Sequence, residues 1–204
     1  MKRFFAFAIG CAVLSAQTKQ SACEDCARMI DTRSLSAVST RSLEHKPSNA
    51  ARKEFDRGMK AWRRDRNDQA LEQFALAVGL DPEYWEAILN LGVAYASAGD
   101  PSRALGLFEQ GLALEPNLYV LHVNKAGALI LLGRLEEAEQ AARNALKLAP
   151  DSTDANFHLG MALIMRGEVT PEAIACLKFA APKDARARKA LASVEGYVRP
   201  EGGR

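Results

Sequence analysis

The stretch from Ile88 to Pro116 reads ILNLGVAYASAGDPSRALGLFEQGLALEP. It contains two runs of apolar residues at helical spacing, parted by Gly99-Asp100-Pro101, and it ends on a proline. Pro82 and Pro150 lie 34 residues to either side of Pro116, and columns of small and of aromatic or apolar residues repeat at the same interval. A fixed period of this length marks stacked helix-turn-helix units, none of which can bury its apolar face alone.

In the quoted unit Ile88, Leu91, Gly92 and Tyr95 precede Ala104, Phe108 and Pro116. The unit before it offers Gly58, Ala70, Phe74 and Pro82, with Arg57 in the aliphatic column. The unit after it has Leu129, Ala138, Ala142 and Pro150, with Lys125 in the aliphatic column and Ala126 in the glycine column. The last has Leu159, Gly160, Leu163, Ala173 and Leu177; a residue inserted around Val169 to Pro171 and an early Pro182 predict a short second helix. Small residues let the paired helices approach, the aromatic fills the space beside them, and proline ends the second helix.

This pattern resembles the tetratricopeptide repeat over roughly residues 50 to 182. The resemblance implies an all-α, right-handed superhelical solenoid of about four helix-turn-helix repeats with a C-terminal capping helix. The expected organisation is a signal peptide at 1–16, a polar segment at 17–48, repeats at 51–84, 85–118, 119–152 and 153–182, a capping helix at 183–198 and a tail at 199–204. Helices are expected at 49–64, 67–80, 84–98, 101–114, 118–132, 135–148, 152–166 and 171–180. A ninth follows, because Ala187, Leu191, Val194 and Val198 place one apolar stripe on a charged segment that can cover the last repeat. Pro47-Ser48-Asn49 supplies the break and N-cap before the first.

Met1-Lys2-Arg3, the apolar run Phe4 to Leu14 and the small pair Ser15-Ala16 have the order of a secretory signal peptide, and the run is too short to span a membrane. The mature chain is expected to begin after Ala16 and to be exported, periplasmic or secreted, without stable membrane insertion. A lipoprotein anchor at Cys11, after Ala8-Ile9-Gly10, is the lesser alternative. Loss of Lys2 and Arg3 from 27 basic side chains leaves 25 against 25 acidic, which removes the electrostatic basis for binding nucleic acid. The balance is uneven along the chain: residues 52–66 hold seven basic and three acidic side chains, and residues 67–182 hold seven and fifteen. Solvated helix faces account for this most simply; steering of a charged partner is the alternative.

Cys23 and Cys26 form a CxxC in the polar segment, where an oxidising compartment favours a local disulfide; redox exchange or an intermolecular bridge are the other readings. Cys176 and His45 have no partners at metal-ligand spacing, so no metal is expected, and Cys176 reads as a small buried side chain. The serine-rich segment 17–48 cannot bury enough apolar area to fold alone; a weak alternation from Leu35 to Leu43 leaves open a short strand laid against something else.

The resemblance further implies a concave groove lined by the first helix of each unit. Carried over by position, that face comprises Phe55, Met59 and Trp62, then Leu89, Asn90 and Val93, then Val123, Asn124 and Ile130, then Phe157, His158 and Met161. Asn90 and Asn124 share a column that in some members grips the backbone of an extended peptide; they serve equally as helix-surface residues. Trp62, followed by Arg63-Arg64, reads as a binding hot spot or as packing against the N-terminal segment, and His158 as a neutral, partly packed histidine. Members that clamp a C-terminal carboxylate line this groove with lysine, arginine and asparagine. Here Phe55, Met59, Val120 and Asn124 stand at several of those places, so no such clamp is expected. His45, His122 and His158 build no triad, and no catalysis or cofactor is expected. The expected function is an exported adaptor that binds a protein or peptide segment in the groove. A thiol-dependent module using Cys23 and Cys26, and self-assembly through the unlike ends, are the alternatives.

Overall fold

The computed structural model describes residues 45–198, with side chains as far as Val194. The expected signal peptide with Cys11, the Cys23–Cys26 pair, the alternation at 35–43 and residues 199–204 lie outside the described residues. The described chain forms nine helices: α1 Asn49–Trp62, α2 Asn67–Leu80, α3 Trp85–Ser97, α4 Pro101–Leu114, α5 Tyr119–Leu131, α6 Leu135–Leu148, α7 Thr153–Met165, α8 Pro171–Ala180 and α9 Ala185–Val198. They stack as sequential antiparallel pairs, α1/α2, α3/α4, α5/α6 and α7/α8, with α9 closing the end. The first helices α3, α5 and α7 also touch one another side by side.

Local chemistry sets the boundaries. Ser48, Asp100, Ser152 and Thr170 each accept a hydrogen bond from the backbone N–H three residues on, at 3.0–3.2 Å, which satisfies a donor that the first turn leaves open. Pro101 and Pro171 occupy the first helical position, where a missing N–H does no harm. Gly99, Gly133 and Gly167 end the first helices of the later pairs at φ 85°, 73° and 90°. The same column of the first pair holds Asp65, at φ 56°. The inserted residue is absorbed between Gly167 and the Thr170 cap, and α8 runs ten residues where α2, α4 and α6 run fourteen.

The pairing within units explains the one departure from the glycine column. A Cβ at Gly58 would stand 2.6 Å from the Phe74 ring, one at Gly92 2.5 Å from Phe108, and one at Gly160 2.9 Å from Leu177. Each glycine exists because the facing helix sends a large side chain into its place. In the third unit the facing residue is Ala142, and Ala126 has room for its methyl; both are fully buried. The two remaining departures are also accounted for by their neighbours. Arg57 lies on the outer face of the first unit, which no repeat among the described residues covers, and Lys125 is half-buried with Nζ 2.8 Å from Glu109 of the preceding unit.

Two polar seams tie the ends. His45 Nε2 lies 3.1 Å from Asp81 Oδ1, and Asp81 also accepts from the backbone N–H groups of Ser48 and Glu83, both at 3.2 Å. This holds the entry segment to the α2–α3 turn. At the far end Ala187, Ala190 and half-buried Leu191 of α9 pack on Leu177 and Ala180. Arg186 bonds both Asp154 and Asp184 at 2.7 Å, with its guanidinium 4.5 Å from the centre of the Phe157 ring. His45 and Cys176 thus belong to opposite ends of the array.

Candidate partner-binding groove

The face built by α1, α3, α5 and α7 gathers the groove residues of the sequence reading, but it divides them into two groups. Trp62, Leu89, Val93, Val123 and Ile130 are buried core residues. Trp62, at 5 % exposure, joins the buried core cluster, so of its two readings, hot spot or packing, its burial favours packing. Phe55 and Met59 are half-buried; the Phe55 ring lies 5.8 Å from Phe74 and 5.1 Å from Tyr84, so it joins the first unit to the second. Side chains at these columns meet their neighbours because adjacent first helices touch, which leaves little of each free.

Asn90 and Asn124 are half-buried and equivalent. Asn90 Nδ2 donates to the carbonyl of Glu86 and Asn124 Nδ2 to that of Val120, each at 2.7 Å and one helical turn back. Each amide therefore serves its own helix through one N–H. Phe157, His158 and Met161 come together at the fourth unit, with Phe157 and His158 ring centres 5.3 Å apart. His158 is packed against the bare backbone of Gly127, where a Cβ would stand 3.3 Å from Cε1 and Nε2. The residue as a whole is half-buried, but Nδ1 is fully buried and makes no hydrogen bond. Burial, and secondarily the positive charge of Arg186, push the imidazole down to about 3, so it is neutral near pH 7.

The sequence allows Met59, Met161 and Met165 either as filling of irregular core or as an adaptable partner surface, and it did not point to Leu131 and Ile164 on this face. Leu131 is 44 % exposed, and Ile164 and Met165 are half-buried beside Met161. Leu131 and Met165 continue the column of Arg63 and Ser97, so the period contained them. Glu86 is the half-buried acid of the face, held above the usual carboxylate range by burial and, less strongly, by the nearby Glu115 carboxylate. No three His, Cys, Asp or Glu side chains gather at metal-holding positions among the described residues. Burial raises the Cys176 thiol above its ordinary range, which makes it unreactive.

Paired helices stacked at a 34-residue period, with an apolar face along their first members, define a helical repeat scaffold. Tetratricopeptide repeat models match residues 55–118 and 124–188, and a second matches 95–143. The chain belongs to the tetratricopeptide repeat family, a non-catalytic scaffold family. It is 32 % identical over 78 residues to the STIP1 homolog of Dictyostelium discoideum, covering 35 % of this chain and 14 % of that protein. It is 29 % identical over 103 residues to anaphase-promoting complex subunit 3 of Schizosaccharomyces pombe, covering 50 % of this chain and 16 % of that one. The chain thus spans a small part of each relative's length.

Solved structures share the fold. MamA from Desulfovibrio magneticus superposes with a TM-score of 0.65 at 20 % identity, covering 74 % of this chain and 87 % of that one. YrrB, described as a tetratricopeptide protein with an unusual peptide-binding site, gives 0.61 at 20 % identity over 69 % and 74 %. The first such domain of Spaghetti (RPAP3), solved with the HSP90 peptide SRMEEVD, gives 0.58 at 21 % identity over 60 % and 98 %.

Proposed function

We propose that the mature chain is an exported adaptor that holds an apolar protein or peptide segment along the face of α1, α3, α5 and α7, and so helps to assemble or localise an envelope complex. The observation that carries the groove reading is the apolar strip of exposed Leu131 and half-buried Met161, Ile164 and Met165 along the first-helix face. Methionines suit a site that must adapt to its occupant. Proteins of this fold bound to peptides support it, and the leader at 1–16 supports export. Phe55, Met59 and Val120 are uncharged where a terminal carboxylate would need cations, which favours an internal segment over an acidic chain end.

Affinity capture from envelope extract, with the native mature chain beside a Leu131→Glu/Met165→Glu variant of native helicity, tests this. A partner held by the first and lost by the second is expected. One retained by both would place binding elsewhere. Export is tested separately, by N-terminal sequencing of the protein recovered from cells, which should begin at Gln17.

A further inference from the structure

The outer face of α1 is the one first-helix face among the described residues that no preceding repeat covers. In the later units the equivalent positions are Ala87, Leu91 and Ala94, then Leu121, Lys125 and Ala128, then Ala155, Leu159 and Ala162. All are buried except Lys125, which is half-buried. In α1 they are Lys53, Arg57 and Lys60, all exposed, and Arg64 prolongs the stripe by one turn. Lys53, Arg57 and Lys60 border, with Asn49, Arg52 and Asp56, a shallow trough of about 350 Å³.

The charge here differs from that in the middle of the array. Every arginine from Arg103 to Arg186 holds a carboxylate. At this end Arg57 pairs with Glu54 at 2.8 Å, but Arg52, Lys53, Lys60, Arg63, Arg64 and Arg66 form no ion pair among the described residues. A solubilising end needs polarity of either sign. On the face whose equivalents receive a helix pair, Lys53, Lys60 and Arg64 are three charges of one sign with no ion pair among the described residues, which is more than that.

We propose that the α1 face is a second interaction surface, distinct from the groove, and that it takes an acidic helical segment of another protein. The stripe 53, 57, 60, 64 spans about three turns, roughly 16 Å, which is the reach of one acidic helix laid along the trough. Asp56 inside the trough disfavours a flat anionic surface, whereas a shaped partner can place a neutral or basic side chain against it.

The test is fluorescence anisotropy with a labelled acidic helical peptide of about 20 residues, at about 50 mM and 300 mM NaCl. Two variants each remove three positive charges: Lys53→Gln/Lys60→Gln/Arg64→Gln at this face, and Lys183→Gln/Arg188→Gln/Lys189→Gln at the other end. All six side chains are exposed, so both should keep native helicity, checked by circular dichroism. The expected result is saturable binding that weakens about tenfold in the first variant and at high salt, and less than about twofold in the second. Equal loss in both variants, or no binding by the native chain, would overturn the proposal. Tighter binding to phosphatidylserine vesicles, lost in the same variant, would overturn it in favour of a membrane.

Discussion

The glycine and aromatic columns make a quantitative claim that a double-mutant cycle at Gly92 and Phe108 can check. Phe108 is 1 % exposed, and a methyl at residue 92 would stand 2.5 Å from its Cε1, about 1 Å inside ordinary contact. A rigid ring in a filled interior cannot yield by that much, so Gly92→Ala should destabilise by about 1–3 kcal/mol although it replaces glycine with the best helix former. Phe108→Ala should cost about 3–5 kcal/mol through lost burial and the cavity left behind. The combined variant recreates the Ala126/Ala142 arrangement that the third unit already uses, because the added methyl enters space the ring has vacated. Its cost should fall below the sum of the single costs by about 1–3 kcal/mol. Urea unfolding followed by helicity and by Trp62 and Trp85 fluorescence gives the four free energies, provided the two transitions coincide. Additivity within about 0.5 kcal/mol, or a neutral Gly92→Ala, would refute the close-approach explanation of the column.

Asp65→Gly should stabilise the chain by about 1 kcal/mol, because Asp65 adopts the left-handed backbone that Gly99, Gly133 and Gly167 supply elsewhere; a lower urea midpoint would contradict this. His158 has its folded-state pKa depressed from 6.5 to about 3, so its protonation favours the unfolded chain, and the stability present above pH 6.5 is lost as the pH falls toward 3. Between pH 7 and pH 5 the native chain should therefore lose about 2 kcal/mol more than His158→Asn, and equal losses in the two would remove the buried neutral imidazole from the account. Trp62→Ala should cost about 3–5 kcal/mol, lowering the unfolding midpoint before any effect on a partner can be read.

The elements were legible because their ends carry their own chemistry. Ser48, Asp100-Pro101 and Thr170-Pro171 at the starts, and the 34-residue glycine and proline columns at the stops, placed the helices within two residues of those observed. The inserted residue before Pro171 foretold the short α8 for the same reason. The groove was legible only in outline. Column position tells which side of a helix a residue occupies, but not how closely the next first helix approaches. Trp62, Leu89, Val93, Val123 and Ile130 are interior, whereas Leu131, Ile164 and Met165 are reachable. The uncovered face of α1 was written as a charge imbalance, and it took the stacking order to show that its cations stand where later repeats bury alanine and leucine.

The third unit shows why columns alone mislead. It departs from the pattern at Lys125, Ala126 and Ala142, and it carries Gly127 where the other first helices have Met59, Val93 and Met161. None of these residues is explained by its own column, but each is explained by the side chain opposite. Lys125 answers Glu109, Ala126 answers Ala142, and Gly127 leaves the place that the His158 ring occupies. The unit of information in such an array is thus the facing pair, because close packing constrains the joint volume and charge of two residues rather than either alone. The same reasoning bears on binding. A groove residue can be carried over from a relative only together with the neighbour that exposes or covers it, and Ile130 beside Leu131 shows that adjacent positions on one helix can fall on opposite sides of that test.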